Sequence, residues 1–185
     1  MYALVEPQIL TEEEYFEFEL TSDRRHEFVD GQIYAMSGGS EQHSLIAVNL
    51  YSLLRTKLRG KGCRVFSSDM KIWIPNLKIF YYPDLSVVCD AQDRDRYCKT
   101  KPCLIIEVLS PSTQRIDRNE KLRNYPNLES LQEYILISQD RPSLTIYRRR
   151  NDWQPEIFGA ESIIQFEAIA LEISINDIYE DVEFV

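Results

Sequence analysis

Histidine and paired cysteine are nearly missing from this sequence. It has two histidines, His26 and His43, and its four cysteines (Cys63, Cys89, Cys98, Cys103) include no CxxC pair. Neither a histidine-rich metal centre nor a zinc site is expected. Scattered cysteines of this kind read as buried, reduced thiols of a cytoplasmic protein. No basic segment followed by an apolar run opens the sequence, so no signal peptide is read. No apolar stretch approaches the roughly 20 residues that a spanning helix needs, so no membrane association is expected. Repeats, low-complexity segments and linkers are also missing. The 185 residues are enough for one domain with a sizeable core, and residues 1–185 are read as that single domain.

An excess of positive charge is lacking too. Lys and Arg total 21 against 30 Asp and Glu, a net charge of -9. That balance opposes loose, whole-surface attraction to nucleic acid, but it leaves room for a local basic track. The window Arg55 to Arg64, "RTKLRGKGCR", holds five basic residues and no acid, and "RRR" at Arg148 to Arg150 is a second cluster. Their ordinary reading is a solvated helix end and a solvated strand end. A carboxylate metal site nearby would shift that reading towards phosphate contact.

The pattern along the chain alternates between helix and strand. Thr11 before "EEEYFEFEL" is an N-cap followed by acids in the first helical turn. In "RHEFVDGQIYAMS", Asp30-Gly31 between alternating apolar residues signals a hairpin. Ser40 precedes a helix with Ile46, Leu50, Leu53 and Leu54 at helical spacing, ending near Lys57, Arg59 and Gly60. Strands are read in "CRVFSSD", "KIWI", "LSVVC" and the near-continuous apolar run "CLIIEVLS". "PSTQRIDRNEKLRNY" is a loop leading into a helix that ends near Pro126. "EYILIS" and "LTIYRRR" are strands joined by the turn "QDRPS", and "SINDIYE" closes the chain as a capped turn or short helix. The fold class read from this order is α/β, with a mixed central sheet flanked by helices.

Two acids stand out. Asp84 opens a strand directly after Pro83, and Glu107 lies inside "CLIIEVL". A carboxylate within a buried strand is costly unless it is paired or binds a cation. Two of them on neighbouring strands repel, and a hard divalent cation removes that conflict. As a bare pair the signal is weak. The glycosidase reading of paired acids ranks last, because no aromatic-rich sugar-binding pattern surrounds either one.

The surroundings carry more. "RHEFVDGQIYAMS", the His43 helix, "YYPDLSVV", "LIIEVLSPST", "DRNEKLRNY" and "SLQEYILISQD" run nearly the whole chain in one order. In that order the chain resembles the Uma-type family of endonucleases, within the restriction-endonuclease-like PD-(D/E)xK superfamily. The resemblance implies a single restriction-endonuclease-like domain that hydrolyses phosphodiester bonds in DNA with Mg2+ or Mn2+. It implies that Asp84 and Glu107 hold the metal together with the Val108 carbonyl. The lysine of the superfamily pattern, two positions after the strand acid, is missing, since Leu109 stands there. The family supplies it from the following helix, and Lys121, one turn after Asp117 and one before Tyr125, matches that position. Its ordinary reading is an exposed lysine paired with Asp117. On the catalytic reading, Lys121→Ala spares folding and metal affinity and removes cleavage. Glu27 is implied as a fourth catalytic residue facing the site from the hairpin, against an ordinary pairing with Arg24 or Arg25. Asp69 is read as surface, and His43 as a hydrogen-bonded structural histidine rather than a ligand. A homodimer is a further expectation of the resemblance. The alternative is a nuclease-like module that binds nucleic acid or protein without cutting.

Overall fold

The computed structural model describes residues 9–184. Helix α1 (Glu12–Thr21) starts at a capping box: the Thr11 hydroxyl accepts from the Glu14 N–H, and Glu14 accepts from the Thr11 N–H. Strands β1 (His26–Val29) and β2 (Gln32–Ala35) form the expected hairpin. Asp30 and Gly31 both take positive φ, 51° and 80°, as a type I′ turn requires. Helix α2 (Glu41–Lys57) is capped by Ser40 and buries Ile46, Leu50 and Leu54.

Next come β3 (Arg64–Ser67), β4 (Lys71–Ile74), β5 (Ile79–Tyr81), β6 (Leu85–Val88), the short β7 (Cys98–Lys99) and β8 (Leu104–Leu109). Strands β5 and β7 were not read from sequence; each is too short for alternation to show. A helical segment follows as α3 (Gln114–Ile116), a π-helical turn (Asp117–Lys121) and α4 (Leu122–Asn124), ending in a 3-10 turn that contains Pro126. The chain closes with β9 (Glu133–Ser138), β10 (Ser143–Arg148), β11 (Pro155–Gly159), β12 (Ile163–Phe166), β13 (Leu171–Ser174) and α5 (Ile175–Ile178).

Helices flank mixed sheets, as the sequence predicted. The larger has six strands in the order β11-β10-β9-β8-β6-β3, with β8 and β9 parallel and its other pairs antiparallel. A second sheet has five, β2-β1-β5-β4-β7, and β12 pairs with β13. Every residue of β8 is buried, but its two faces differ. Leu104, Ile106 and Val108 pack with Ile46, Leu50 and Leu54 of α2. Ile105 and Leu109 point the other way, towards Ile72, Tyr81, Tyr125 and Tyr134. The period of two therefore turns Glu107 away from α2 and towards the junction of the two large sheets. Among the described residues no helix is long and apolar enough to cross a membrane.

Two expectations need correction. Cys63 and Cys89 are not reduced thiols; they form a disulfide. Strands β3 and β6 pair Arg64 with Val88, so the two cysteines are the next facing positions outward, their Cα atoms 4.0 Å apart. Cys98 and Cys103 are free. The "RRR" cluster is a solvated strand end only at the exposed Arg150. Arg148 is buried, donating from Nε to Glu133 at 2.8 Å and pairing with Glu156. Arg149 donates to the carbonyls of Pro126, Leu128 and Leu131, and Arg150 pairs with Glu156 and Glu167.

Glu133 is fully buried and also accepts the Glu167 and Ala168 N–H groups. Arg148→Ala would leave that carboxylate without its cation, which costs roughly 3–5 kcal/mol. Urea unfolding measures it, and a loss below about 1 kcal/mol, the range of an exposed pair, would contradict this account.

Candidate active site

The site is assembled from four pieces of chain. Strand β8 supplies Glu107, the start of β6 supplies Asp84, β1 supplies Glu27, and the π turn supplies Asp117 and Lys121. The pairing of β6 with β8, Leu85 opposite Ile106, sets the two strand acids side by side. The Asp84 N–H donates to Glu107 Oε2 at 3.3 Å, and Asp84 Oδ2 accepts the Val108 N–H at 2.7 Å. The main chain of Val108 thus lies against Asp84.

Lys121 occupies the centre. Its Nζ lies 2.9 Å from Glu107 Oε1, 2.9 Å from Glu27 Oε1 and 3.4 Å from Asp117 Oδ1. It is 5 % exposed, so the reading of a solvent lysine is set aside. An α-helix would place Asp117 and Lys121 on one face, and here the intervening turn is π-helical, a local widening common at functional sites. Tyr125 donates to Glu107 Oε1 at 3.1 Å, and Tyr134 donates to the Asp117 carbonyl at 3.1 Å. Leu109, where the superfamily lysine would stand, is buried in the apolar cluster beside Tyr125 and Tyr134.

Charge in this cluster does not balance. Glu27, Asp84, Glu107 and Asp117 face one permanent cation. Burial pulls the Lys121 ammonium towards neutrality, but Glu107, Glu27 and Asp117 outweigh it and hold its pKa well above the usual lysine range. Burial pushes Glu107 well above the usual carboxylate range, with Lys121 opposing and the other acids adding. Asp117 is raised by burial in the same way, and its Oδ1 has no hydrogen bond. The surplus is one that a further cation would relieve.

Asp84 and Glu27 are equally exposed, and of the cluster's acids Asp84 is the one at a groove. It lines a groove of about 970 Å³ between the β2–α2 connection, α2, the β3–β4 turn and Tyr97. His43 Nε2 stands 3.2 Å from Asp84 Oδ2. The hydrogen bond to Asp84 raises the His43 pKa against the opposing effect of burial, and a hydrogen bond to the Val108 main chain adds to it. The His43 ring thus pairs with Asp84. Gly39 packs on its ring, where a Cβ would lie 2.8 Å from Nδ1. Glu27 accepts the Tyr82 N–H at 3.2 Å besides facing Lys121, while Arg25 pairs instead with the exposed Asp69. Asp69 lines the groove rim rather than joining the acids.

Sequence reasoning placed its basic track at Arg55–Arg64. That window sits at the far end of α2, roughly 20 Å from His43 at 1.5 Å per residue, and none of it lines the groove. Arg64 is committed to the carbonyls of Asp90 and Asp93. The groove instead carries Arg24, Arg25, Lys71 and Arg96, which are scattered in sequence and form no visible run.

Residues 12–176 match the sequence model of the Uma2 family, described as "Putative restriction endonuclease". The chain belongs to the Uma2 family. Two similar proteins come from Synechocystis sp. The protein slr1290 is 39% identical over 178 residues, covering 95% of this chain and 94% of its own length. The protein sll1609 is 33% identical over 172 residues, covering 90% and 97%. Among solved structures, "a putative nuclease belonging to DUF820" from Anabaena variabilis superposes with a TM-score of 0.76 at 20% identity, covering 92% of this chain and 97% of that one. At that identity the likeness establishes the shared fold. Membership of the Uma2 family places the chain among nuclease-like proteins.

Lys121 bears on folding, and its burial among three carboxylates runs against the expectation that its removal spares folding. In metal-free buffer, Lys121→Met lowers the unfolding free energy by roughly 3 kcal/mol or more, because the buried Glu107 and Asp117 and the half-buried Glu27 lose their shared cation. Adding Glu107→Gln recovers part of that loss by reducing the surplus charge. Denaturant unfolding of the two variants checks this, and strictly additive losses would contradict it.

Proposed function

We propose that the protein is a divalent-metal-dependent endonuclease hydrolysing phosphodiester bonds in DNA. The observation that carries the reading is the buried surplus of carboxylates around Lys121, opening to the groove through Asp84. Among the described residues no three His, Cys, Asp or Glu side chains converge on one metal position. The donor set suits magnesium or manganese all the same, since such an ion takes one or two carboxylates and keeps several waters. Asp84 and Glu107 would hold it, with the Val108 carbonyl as the main-chain ligand. When bound, the ion supplies an activated water and charge stabilisation at the phosphate.

The chain's own residues do the rest. Lys121 places a fixed positive charge beside Glu107, where negative charge on the phosphate would build up. Glu27 and Asp117 hold that ammonium in place, and the Tyr125 hydroxyl orients the Glu107 carboxylate. His43 braces Asp84 from α2 without being needed as a ligand. The non-cutting alternative draws on Leu109, which replaces the superfamily lysine. Against it stands Lys121, whose ammonium contacts the same strand acid from the helix.

A plasmid-nicking assay with Mg2+ or Mn2+ tests the reading, with an RNA substrate run in parallel. Asp84→Asn and Glu107→Gln should each lower cleavage by about 100-fold or more, given that a single group stabilising the transition state is worth that much. Chelation should abolish cleavage. Plasmid binding with no metal-dependent nicking in the wild type would instead favour the non-cutting module. Nicking that survives in both variants would place the chemistry elsewhere.

A further inference from the structure

The groove holds a cation that the acid cluster does not use. Lys71 opens β4 and is only 7 % exposed, yet among the described residues its ammonium has no ion pair and no hydrogen bond. Three aromatic rings surround it instead: Tyr15 at 5.3 Å, Phe16 at 4.7 Å and Tyr82 at 5.8 Å from their centroids. The acid whose field it feels most is Glu19, and Glu19 is engaged with the His26 N–H at 3.0 Å, the His26 ring at 3.2 Å and the Tyr82 hydroxyl at 2.8 Å. Ring faces attract a cation without consuming its N–H donors. All three donors of this ammonium are therefore free for a ligand. Burial lowers its pKa, a penalty that a bound anion would offset.

Lys71 and Asp84 line the same groove, and Tyr82, which walls the ammonium, lies two residues before Asp84. Along an extended segment that is roughly 7 Å. We propose that Lys71 is a phosphate-binding residue, receiving a non-scissile backbone phosphate of the strand whose neighbouring phosphodiester lies at Asp84. This rests on the nuclease reading and adds how the strand is held. In a chain of net charge -9, a preformed ammonium at the groove wall gives the strand a fixed point of attachment that the overall charge does not.

The test is binding of a short fluorescein-labelled DNA duplex in chelator, by anisotropy across a salt series, for the wild type, Lys71→Met and Lys71→Arg. Methionine keeps an unbranched apolar stem among the rings and removes the charge. Lys71→Met should weaken binding about tenfold or more, the scale of one charged hydrogen bond. The slope of log affinity against log salt should fall by about 0.9, as for one lost phosphate contact, and Lys71→Arg should keep most of both. A second reading uses the wild type alone: acylation of the Lys71 amine, quantified by mass spectrometry, should be suppressed by the duplex and by inorganic phosphate. If Lys71→Met misfolds, this labelling decides. Unchanged affinity and slope, or unchanged labelling with duplex bound, overturns the Lys71 assignment while leaving the nuclease reading intact. Should the wild type neither bind nor cut nucleic acid, the nuclease reading fails. Protection of Lys71 by inorganic phosphate would then still support an anion site, and its absence would overturn that as well.

Discussion

The buried ammonium of Lys121 is the constraint on which the rest of the site depends. An ion taken out of water is tolerated where opposite charge and hydrogen bonds replace the lost solvation. Here three carboxylates from three different pieces of chain do so: Glu27 from the hairpin, Glu107 from β8 and Asp117 from the same turn. The contact ties the two large sheets and the helix together at one point. The π-helical turn is the local distortion that goes with it, and the Tyr81 ring closes the remaining side, 5.3 Å from Nζ.

Strand β8 separates packing from chemistry by its pleat. One face gives Leu104, Ile106 and Val108 to the core beneath α2, where each fully buried aliphatic side chain contributes about 1.5–3 kcal/mol. The other face presents Glu107 between Ile105 and Leu109. A one-residue slip in its pairing would exchange the two and bury the carboxylate under α2, so the hydrophobic core itself holds Glu107 in position. Asp84, at the mouth of β6, is the member of the cluster that meets the groove. That division leaves a deeply buried charge network with one member, Asp84, at the groove.

Much of this was legible because a few residues broke a pattern. An acid inside "CLIIEVL" and another after Pro83 stand out against their apolar neighbours, and Asp30-Gly31 demanded a turn with two positive φ values. Lys121 was different. A lysine four residues after an aspartate looks the same whether it faces solvent or the core, and only the likeness to a family singled it out. The π-helical turn leaves no periodic trace. Cys63 and Cys89 are 26 residues apart and meet only through the β3–β6 pairing, so their bond could not be read from spacing. The basic runs misled for a related reason. A run in sequence measures local composition, whereas Arg148 is spent on the buried Glu133, Arg149 on main-chain carbonyls and Arg150 on the exposed Glu167. The groove's own cations, Lys71 among them, are gathered from separate loops and strands.

On the proposed function, the surplus of carboxylates beside Lys121 would hold a divalent cation. Crystals soaked in manganese, measured for anomalous scattering at the manganese edge, test it most directly. The account predicts a single strong peak between the carboxylates of Asp84 and Glu107, beside the Val108 carbonyl, with metal–oxygen distances of about 2.1 Å. No peak at that position in a well-ordered crystal, with Lys121 still bridging Glu27 and Glu107, would contradict it.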